Sequence, residues 1–404
     1  MSVIERERQS NLSLFAIVAE GFLSRLSFGL ISFALPLYAY HLGFSLAEIG
    51  FLTSLNLVVA LALKPLMGWV ADRFGLKRSF LTAIGLRSIV ALLLSFAAVP
   101  WQLYAIRTVH GISKSLRDPT ADALIAENGG RKAIASAFAW HQTAKSVAGA
   151  IGKTTAGILL TLTASNFSAV FFVAFLLSAL PILAARTIRE GEQTLIEPTL
   201  NKSKMLSPDS ESQSEIHMRQ IIPFMGMGFL ISSTAEMLAG LFPIIATQYA
   251  GLSEAQAGIL YMLSTVVILL AGPFFGWLSD RVSRNLVFLV RGLANTLSSI
   301  VYVVAPTFIG VTVARLTDDA GKAAFRPAWG SLMAQVSGFN RTRRAQTISY
   351  LSVGEDAGYI FGPILAGLLW SAWGLPVLMG VRILLAIMAE VYTIRLTGNL
   401  EAPD

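Results

Sequence analysis

A chain of 404 residues that is 54% hydrophobic and only 14% charged cannot clothe itself for water; a soluble protein carries about 25% charged residues. Its mean hydropathy of +0.64 demands a lipid-facing surface, and the lack of cysteine excludes disulfides, thiolate metal sites and cysteine catalysis. The net charge of +7 would suit a nucleic-acid partner, but the positions of the charges explain it differently.

Met1 to Asn11 is polar, and the apolar run that starts at Leu12 is too long for a cleaved signal peptide. A spanning helix needs about 20 apolar residues. By that measure the chain holds twelve spans, at roughly 12–40, 46–70, 79–99, 102–126, 134–160, 165–187, 219–248, 254–278, 284–304, 307–335, 345–370 and 374–396. The connections alternate. His41-Leu42-Gly43, Val99-Pro100-Trp101, Ser165-Asn166-Phe167, Tyr249-Ala250-Gly251, Ala305-Pro306 and Ser371-Ala372-Trp373 contain no Lys or Arg. The other set holds Arg73, Lys77 and Arg78, then Arg131 and Lys132, Arg186, Arg189, Lys202 and Lys204, Arg281 and Arg284, and Arg341, Arg343 and Arg344. Basic residues collect on the cytoplasmic side. The expected protein is therefore a multi-pass cell-membrane protein, in a bacterial inner membrane, with both termini cytoplasmic. No nucleic acid is needed to explain its charge.

The stretch 189–218 is rich in Ser, Glu, Pro and Lys and cannot bury an apolar face, so it reads as a flexible linker. It separates a first six-helix bundle, 1–188, from a second, 219–404. The two are copies. Gly68-Trp69-Val70-Ala71-Asp72-Arg73 returns at Gly276-Trp277-Leu278-Ser279-Asp280-Arg281, and from Gly43 to Arg73 a shift of 208 gives fourteen identities in thirty-one positions. The fold class is an all-α membrane protein of twelve transmembrane helices in two pseudo-symmetric bundles, an arrangement that places a site between the halves.

These features resemble the major facilitator superfamily. Its signature between helices two and three, Gly-x-x-x-Asp-Arg-x-Gly followed by basic residues, stands here as Gly68, Asp72, Arg73, Gly75, Lys77 and Arg78. The second copy keeps Gly276, Asp280, Arg281 and Arg284, with Ser283 in place of Gly. The resemblance implies a cytoplasmic gate in which Asp72 meets the start of helix eleven and Asp280 that of helix five. An Asp there would face the positive end of a helix, and Gly68 would let helix ends approach. Helix four also carries the family's Arg-x-x-x-Gly as Arg107 and Gly111, which the family's proton-linked antiporters associate with proton coupling. Their helix-five motif is missing, since Gly152 is followed by Lys153. A close match, Gly358-Tyr359-Ile360-Phe361-Gly362-Pro363, lies on helix eleven instead.

A charge at the bilayer centre costs at least ~2.5–3.5 kcal/mol and marks a candidate functional position. Helix four presents Arg107, His110, Lys114, Arg117, Asp118 and Asp122 within an arc of roughly 140°. Helix ten repeats the stripe with Arg315, Asp318, Asp319, Lys322 and Arg326; the shift of 208 maps Arg107 onto Arg315 and Lys114 onto Lys322. By depth, Arg25, Lys114, Lys145, Glu236, Lys322, Glu355 and Asp356 lie near the midplane. The candidates for a substrate or proton pathway are Arg25, Arg107, Lys114, Arg117, Asp118, Lys145, Glu236, Asp319, Lys322, Arg326, Glu355 and Asp356. Lys145 with Glu355 or Asp356 would form an ion pair across the halves. Each charge could instead sit in a structural pair, as Lys114 with Asp118 four residues on. Glu20 lies level with Arg107. His110 and His141 titrate near neutrality and could relay protons, or serve as hydrogen-bonded wall residues. Arg87, Arg382 and Glu390, on helices three and twelve, read as snorkelling or locally paired.

No metal-ligand spacing, phosphate loop, nucleophilic triad or cofactor motif is present, so an enzyme is not expected. The expected activity is secondary transport by alternating access of a small, polar, anionic solute, coupled to protons through a carboxylate such as Glu236, Asp319 or Asp356. Its partners would be that solute, protons and the lipid bilayer, and the family's habit is a monomer. A drug–proton antiporter and a non-transporting receptor or scaffold on the same fold are the alternatives.

Overall fold

The computed structural model describes residues 3–128, 130–188, 209–338 and 344–401, with side chains over most of these. The expected basic residues Arg189, Lys202, Lys204, Arg341 and Arg343 lie outside that description, as do the side chains of Arg131, Lys132 and Arg344 and most of the 189–218 linker.

Among the described residues every regular element is helical. α1 is Val3–His41, α2 Leu46–Phe74, α3 Leu76–Phe96, α4 Pro100–Asn128, α5 Gly130–Leu162 and α6 Phe167–Arg186. α7 is Asp209–Glu236, α8 Glu254–Arg281, α9 Arg284–Val304 and α10 Phe308–Gly338. The helix Arg344–Glu401 breaks at Gly374, whose φ of 84° suits glycine alone; its arms, 344–373 and 375–401, are α11 and α12. The twelve spans read from the sequence are thus the twelve long helices seen. Among the described residues seven helices, with α11 and α12 taken as one, are long and apolar enough to cross a bilayer by composition alone. The rest fall short where the interior charges lie: α4 and α10 carry polar stripes, α5 holds Lys145 and Lys153, and α7 is interrupted.

That interruption was not legible in the sequence. α7 ends at Glu236, turns through Met237–Leu241, and resumes as Phe242–Ile244 and a π-helical turn, Ile245–Tyr249. Pro243 cannot donate to the preceding turn and its ring crowds it, so the helix unwinds just after the half-buried carboxylate of Glu236.

The chain forms two compact units. One comprises Met1–Thr194 with Pro243–Thr265, the other Leu195–Phe242 with Val266–Asp404. The first half of α8 joins the first unit through α5. There Thr154 Oγ1 donates to Gly258 O (2.8 Å) and Ser165 Oγ to Glu254 Oε1 (2.9 Å). Within this unit α1 packs on α5 and α6, and α4 on α2 and α3. The surfaces are apolar, with Leu93, Phe96, Leu176, Leu183, Leu270 and Leu384 exposed, while Arg107, Arg117, Asp318, Asp319 and Arg382 are buried. That inversion is what a lipid solvent selects.

In the second unit α7 meets α11 along Gly354, Gly358 and Gly362. A Cβ at Gly358 would stand 2.6 Å from Phe229 O and 2.8 Å from Ser232 Cβ. The Gly358–Pro363 motif, similar to an antiporter signature, therefore serves here as a close helix contact. Gly358→Leu is expected to cost ~1–3 kcal/mol by overpacking, whereas Gly380→Leu, where a Cβ meets nothing within 4 Å, is expected to be silent. Thermal unfolding in detergent compares the two; equal effects would refute the tight contact.

Candidate functional site

The interior of the first unit is organised by Arg117. The α1 residue Glu20, fully buried, accepts from Arg117 Nη2 through Oε2 (2.7 Å) and from Nε through Oε1 (3.1 Å). Asp118 Oδ1 takes Nη1 at 3.3 Å. This fork-shaped pair is the geometry that a guanidinium and a carboxylate favour. Phe28, two turns along α1, lies between two more cations: Arg25 and Arg87 each place Cζ 4.9 Å from its ring centre. His110 tilts against the same ring at 5.0 Å. The α3 residue Arg87 therefore belongs to this cluster, half-buried, rather than at a membrane interface.

Arg107 has a different task. Its Nε donates to Leu52 O (3.1 Å) and Nη2 to Thr53 O (2.8 Å), with Asn56 Oδ1 and His110 Nδ1 (3.2 Å) completing the set. It caps spare carbonyl capacity of α2 and fixes α4 against it. Lys114 and Lys145 stand within electrostatic reach of Asp118 and Arg117. Among the described side chains, six cations, Arg25, Arg87, Arg107, Lys114, Arg117 and Lys145, thus gather around Phe28 and Arg117 with two carboxylates, Glu20 and Asp118. At its margin Lys64 and Asp122, both exposed, cancel.

The second unit centres on Asp318. Arg382 Nη2 donates to its Oδ1 (2.5 Å) and Lys322 Nζ stands 2.9 Å from Oδ2. Lys322 also reaches Asp319 Oδ1 (3.4 Å), whose Oδ2 pairs with Arg315 Nε (2.7 Å). Arg315 lies over the Phe242 ring at 4.4 Å. Arg382 does not snorkel: it is wholly buried, and bonds Thr234 O (3.0 Å), Ser299 Oγ (2.9 Å) and Ser298 Oγ (3.3 Å). With the Asn295 amide oxygen turned to the guanidiniums, it accepts from Arg291 Nη1 and Arg382 Nη2, both at 3.1 Å. On α11, Glu355 accepts from Trp329 Nε1 (3.2 Å) and from Tyr359 Oη. Glu236 sits at the break of α7, half-buried, and Arg326 is exposed. Asp356 is half-buried on α11.

The structure thus gathers Arg25, Arg107, Lys114, Arg117, Asp118 and Lys145 in one unit, and Asp319 with Lys322 in the other. Sequence reasoning did not single out Arg291, although a charge inside α9 was a sufficient signal. Nor did it foresee that Arg382 joins α12 to α10. Among the described residues no group of His, Asp and Glu could hold a metal ion.

A model of the Major Facilitator Superfamily matches residues 20–221 and 224–400. The chain belongs to the major facilitator superfamily. Its curated relatives include the multidrug resistance protein MdtG of Erwinia billingiae, 24% identical over 94% of this chain and 92% of that protein. MdtG of Serratia proteamaculans is 26% identical over the same shares. Solved structures with this fold include a bacterial homologue of the human lysosomal transporter Spinster, inward-facing and occupied (TM-score 0.74, 14% identity, 95% of this chain and 96% of that one). The nucleoside transporter NupG is another (TM-score 0.74, 15% identity, 97% and 100%). The chain is a major facilitator transporter, multi-pass in the membrane and not an enzyme. Of the superfamily's signature residues, Asp72, Arg73, Asp280 and Arg281 are exposed, and Arg73 lies over Trp69 at 5.4 Å. Gly68 and Gly276 leave room beside their helices, since no backbone lies within 4 Å of a Cβ built at either.

Removing one partner of a buried ion pair strands the other, at ~3–5 kcal/mol. Glu20→Gln is therefore expected to lower the thermal unfolding midpoint sharply. The double change Glu20→Leu with Arg117→Met should recover most of the loss, because the buried pair leaves as a unit while Asp118, partly exposed, keeps Lys114 and Lys145 nearby. Additive losses in detergent-solubilised protein would refute the pairing.

Proposed function

We propose that this major facilitator transporter moves a small solute bearing an anionic group, by alternating access and in exchange with or alongside protons. What supports this reading is the charge balance of the cluster around Arg117 and Phe28, a formal excess of four positive charges among its described side chains. Each cation is held by neighbours, but held cations without equal counter-charge are costly in a low dielectric. A solute anion offsets that cost when it binds, which is differential affinity for the loaded state. Protons enter through carboxylates whose pairing changes with conformation, among them Glu236, Asp319 and Asp356. The active unit consists of the halves 1–188 and 219–404 joined at 189–218, and the Lys and Arg distribution places both termini in the cytoplasm.

A second reading, export of amphipathic drugs in exchange for protons, is favoured by the MdtG relatives, which are named multidrug resistance proteins. The two readings part on the sign of the cargo. Cells lacking their own exporters and expressing this chain are loaded with an anionic or a cationic fluorescent dye. Under the first reading the transporter moves the anionic dye, the rate follows an imposed pH gradient, and the cationic dye is ignored. Transport of the cationic dye alone would replace the first reading with the second. Asp72→Asn, at the proposed cytoplasmic gate, is expected to slow transport of whichever dye is carried by about tenfold, the scale of a state-dependent contact of ~1–2 kcal/mol. An unchanged rate would reject the gate.

A further inference from the structure

A small cavity lies in the second unit between α7, α9 and α12. It is lined by Thr234 of α7, Phe288, Arg291 and Gly292 of α9, and Glu390 and Thr393 of α12. Two of its polar atoms are buried and make no hydrogen bond among the described residues: Arg291 Nε, a donor, and Glu390 Oε1, an acceptor. The carboxyl group lies over Gly292, filling the space a side chain would take there. Glu390 is therefore turned into the bundle rather than toward a headgroup region. A carboxylate and a guanidinium facing one cavity without touching is an arrangement that needs a mediator. At about 20 Å³ the cavity holds about one water molecule. Such a water would accept from Nε and donate to Oε1, leaving its second hydrogen for the Thr234 or the Thr393 hydroxyl oxygen, each of which already donates to a backbone carbonyl.

The surroundings give this pair a connection. Among the described residues lining the cavity no charged group besides Arg291 faces Glu390: the α7 contribution is Ile231 and Thr234, and that of α12 is Ala386, Ala389 and Thr393. On its other side Arg291 donates to Asn295, which also takes Arg382, which in turn holds Asp318. Arg291 thus joins Glu390 to the charge network of α10. That network has four cations, Arg291, Arg315, Lys322 and Arg382, against Asp318, Asp319 and Glu390.

From this geometry we infer that Glu390 is a proton-binding site of the second bundle, loaded through a water held between it and Arg291. One proton passes from hydronium to Oε1 and leaves again to water; no other bond changes. Loading removes the counter-charge that Arg291 shares with Glu390 and turns its attraction toward Asp318, so that a proton on α12 is felt by Lys322 and Asp319 on α10. The inference rests on the proton coupling proposed above, and names a place for it outside the stripe on α4 and α10.

Infrared difference spectra of the full chain in lipid nanodiscs, taken between acid and alkaline pH, test the site without requiring a cargo. The wild type is expected to show a protonated-carboxyl C=O band that titrates with pH and is lost in Glu390→Gln. Arg291→Leu is expected to keep that band and to move its midpoint by about one pH unit or more, the scale of a nearby opposite charge. If Glu390→Gln does not purify as a monodisperse protein, Glu390→Asp carries the test, by displacing the band. A band unchanged in the Glu390 variant, or one lost there but invariant with pH in the wild type, overturns the inference. So does a midpoint that moves when sodium replaces potassium, since the site would then bind a cation. Gradient-driven dye transport is read separately: coupling without a Glu390 band rejects this site and leaves the proposed function standing.

Discussion

Burying a charge among membrane helices is tolerable only when the charge is held, and that constraint shapes both units. Arg117 is gripped by Glu20 and Asp118, and Asp318 by Arg382 and Lys322. Each grip joins helices distant in sequence, α4 to α1 and α10 to α12. A hydrophobic contact between membrane helices gains little, because lipid tails are equally apolar. Specific polar contacts and close packing, as where α7 meets the glycines of α11, must therefore fix which helix lies beside which.

The two copies of the repeat use one inherited stripe in two ways. Arg107 and Arg315 occupy matching positions, as do Lys114 and Lys322. In the second copy Asp318 and Asp319 supply the counter-charges, and Arg315 pairs with Asp319. The matching positions in the first copy are His110 and Gly111. Without an acid there, Arg107 turns to α2 and bonds the carbonyls of Leu52 and Thr53. Both stripes carry two acids, Asp118 and Asp122 on α4 and Asp318 and Asp319 on α10, but at different levels; the cation excess of the first unit comes from Arg25, Arg87 and Lys145 on other helices.

What the sequence disclosed was what periodicity and repetition control. The twelve helices, the duplicated loop motif and the charged faces of α4 and α10 all stand where hydropathy and the 208-residue shift put them. What it concealed were contacts made by a single side chain over long separations. Nothing local distinguishes Arg382, which reaches Asp318, from a residue that snorkels. Likewise Glu390 on a peripheral helix gives no sign that its carboxyl turns inward over Gly292. The break in α7 was hidden for another reason: proline is common in these helices, at Pro36, Pro65 and Pro273 without interruption, so Pro243 alone does not announce that the chain unwinds before it.

The location of the break adds a physical consequence. It frees backbone groups from Met237 to Leu241 beside Glu236, and such groups persist at membrane depth only where protein or water satisfies them. Here Met237 N still bonds Ser233 O (3.1 Å) and Phe242 N bonds Leu238 O (2.8 Å), so the unwinding is local and its ends are secured. A segment of this kind can change its hydrogen bonding at small cost compared with bending an intact helix. It lies one helix away from the Arg382–Asp318 pair, which is itself bonded to α7 through Thr234 O. Movement of the broken helix would thus be felt directly by the charges of α10, and a change of charge at α10 by the helix, because one guanidinium holds both.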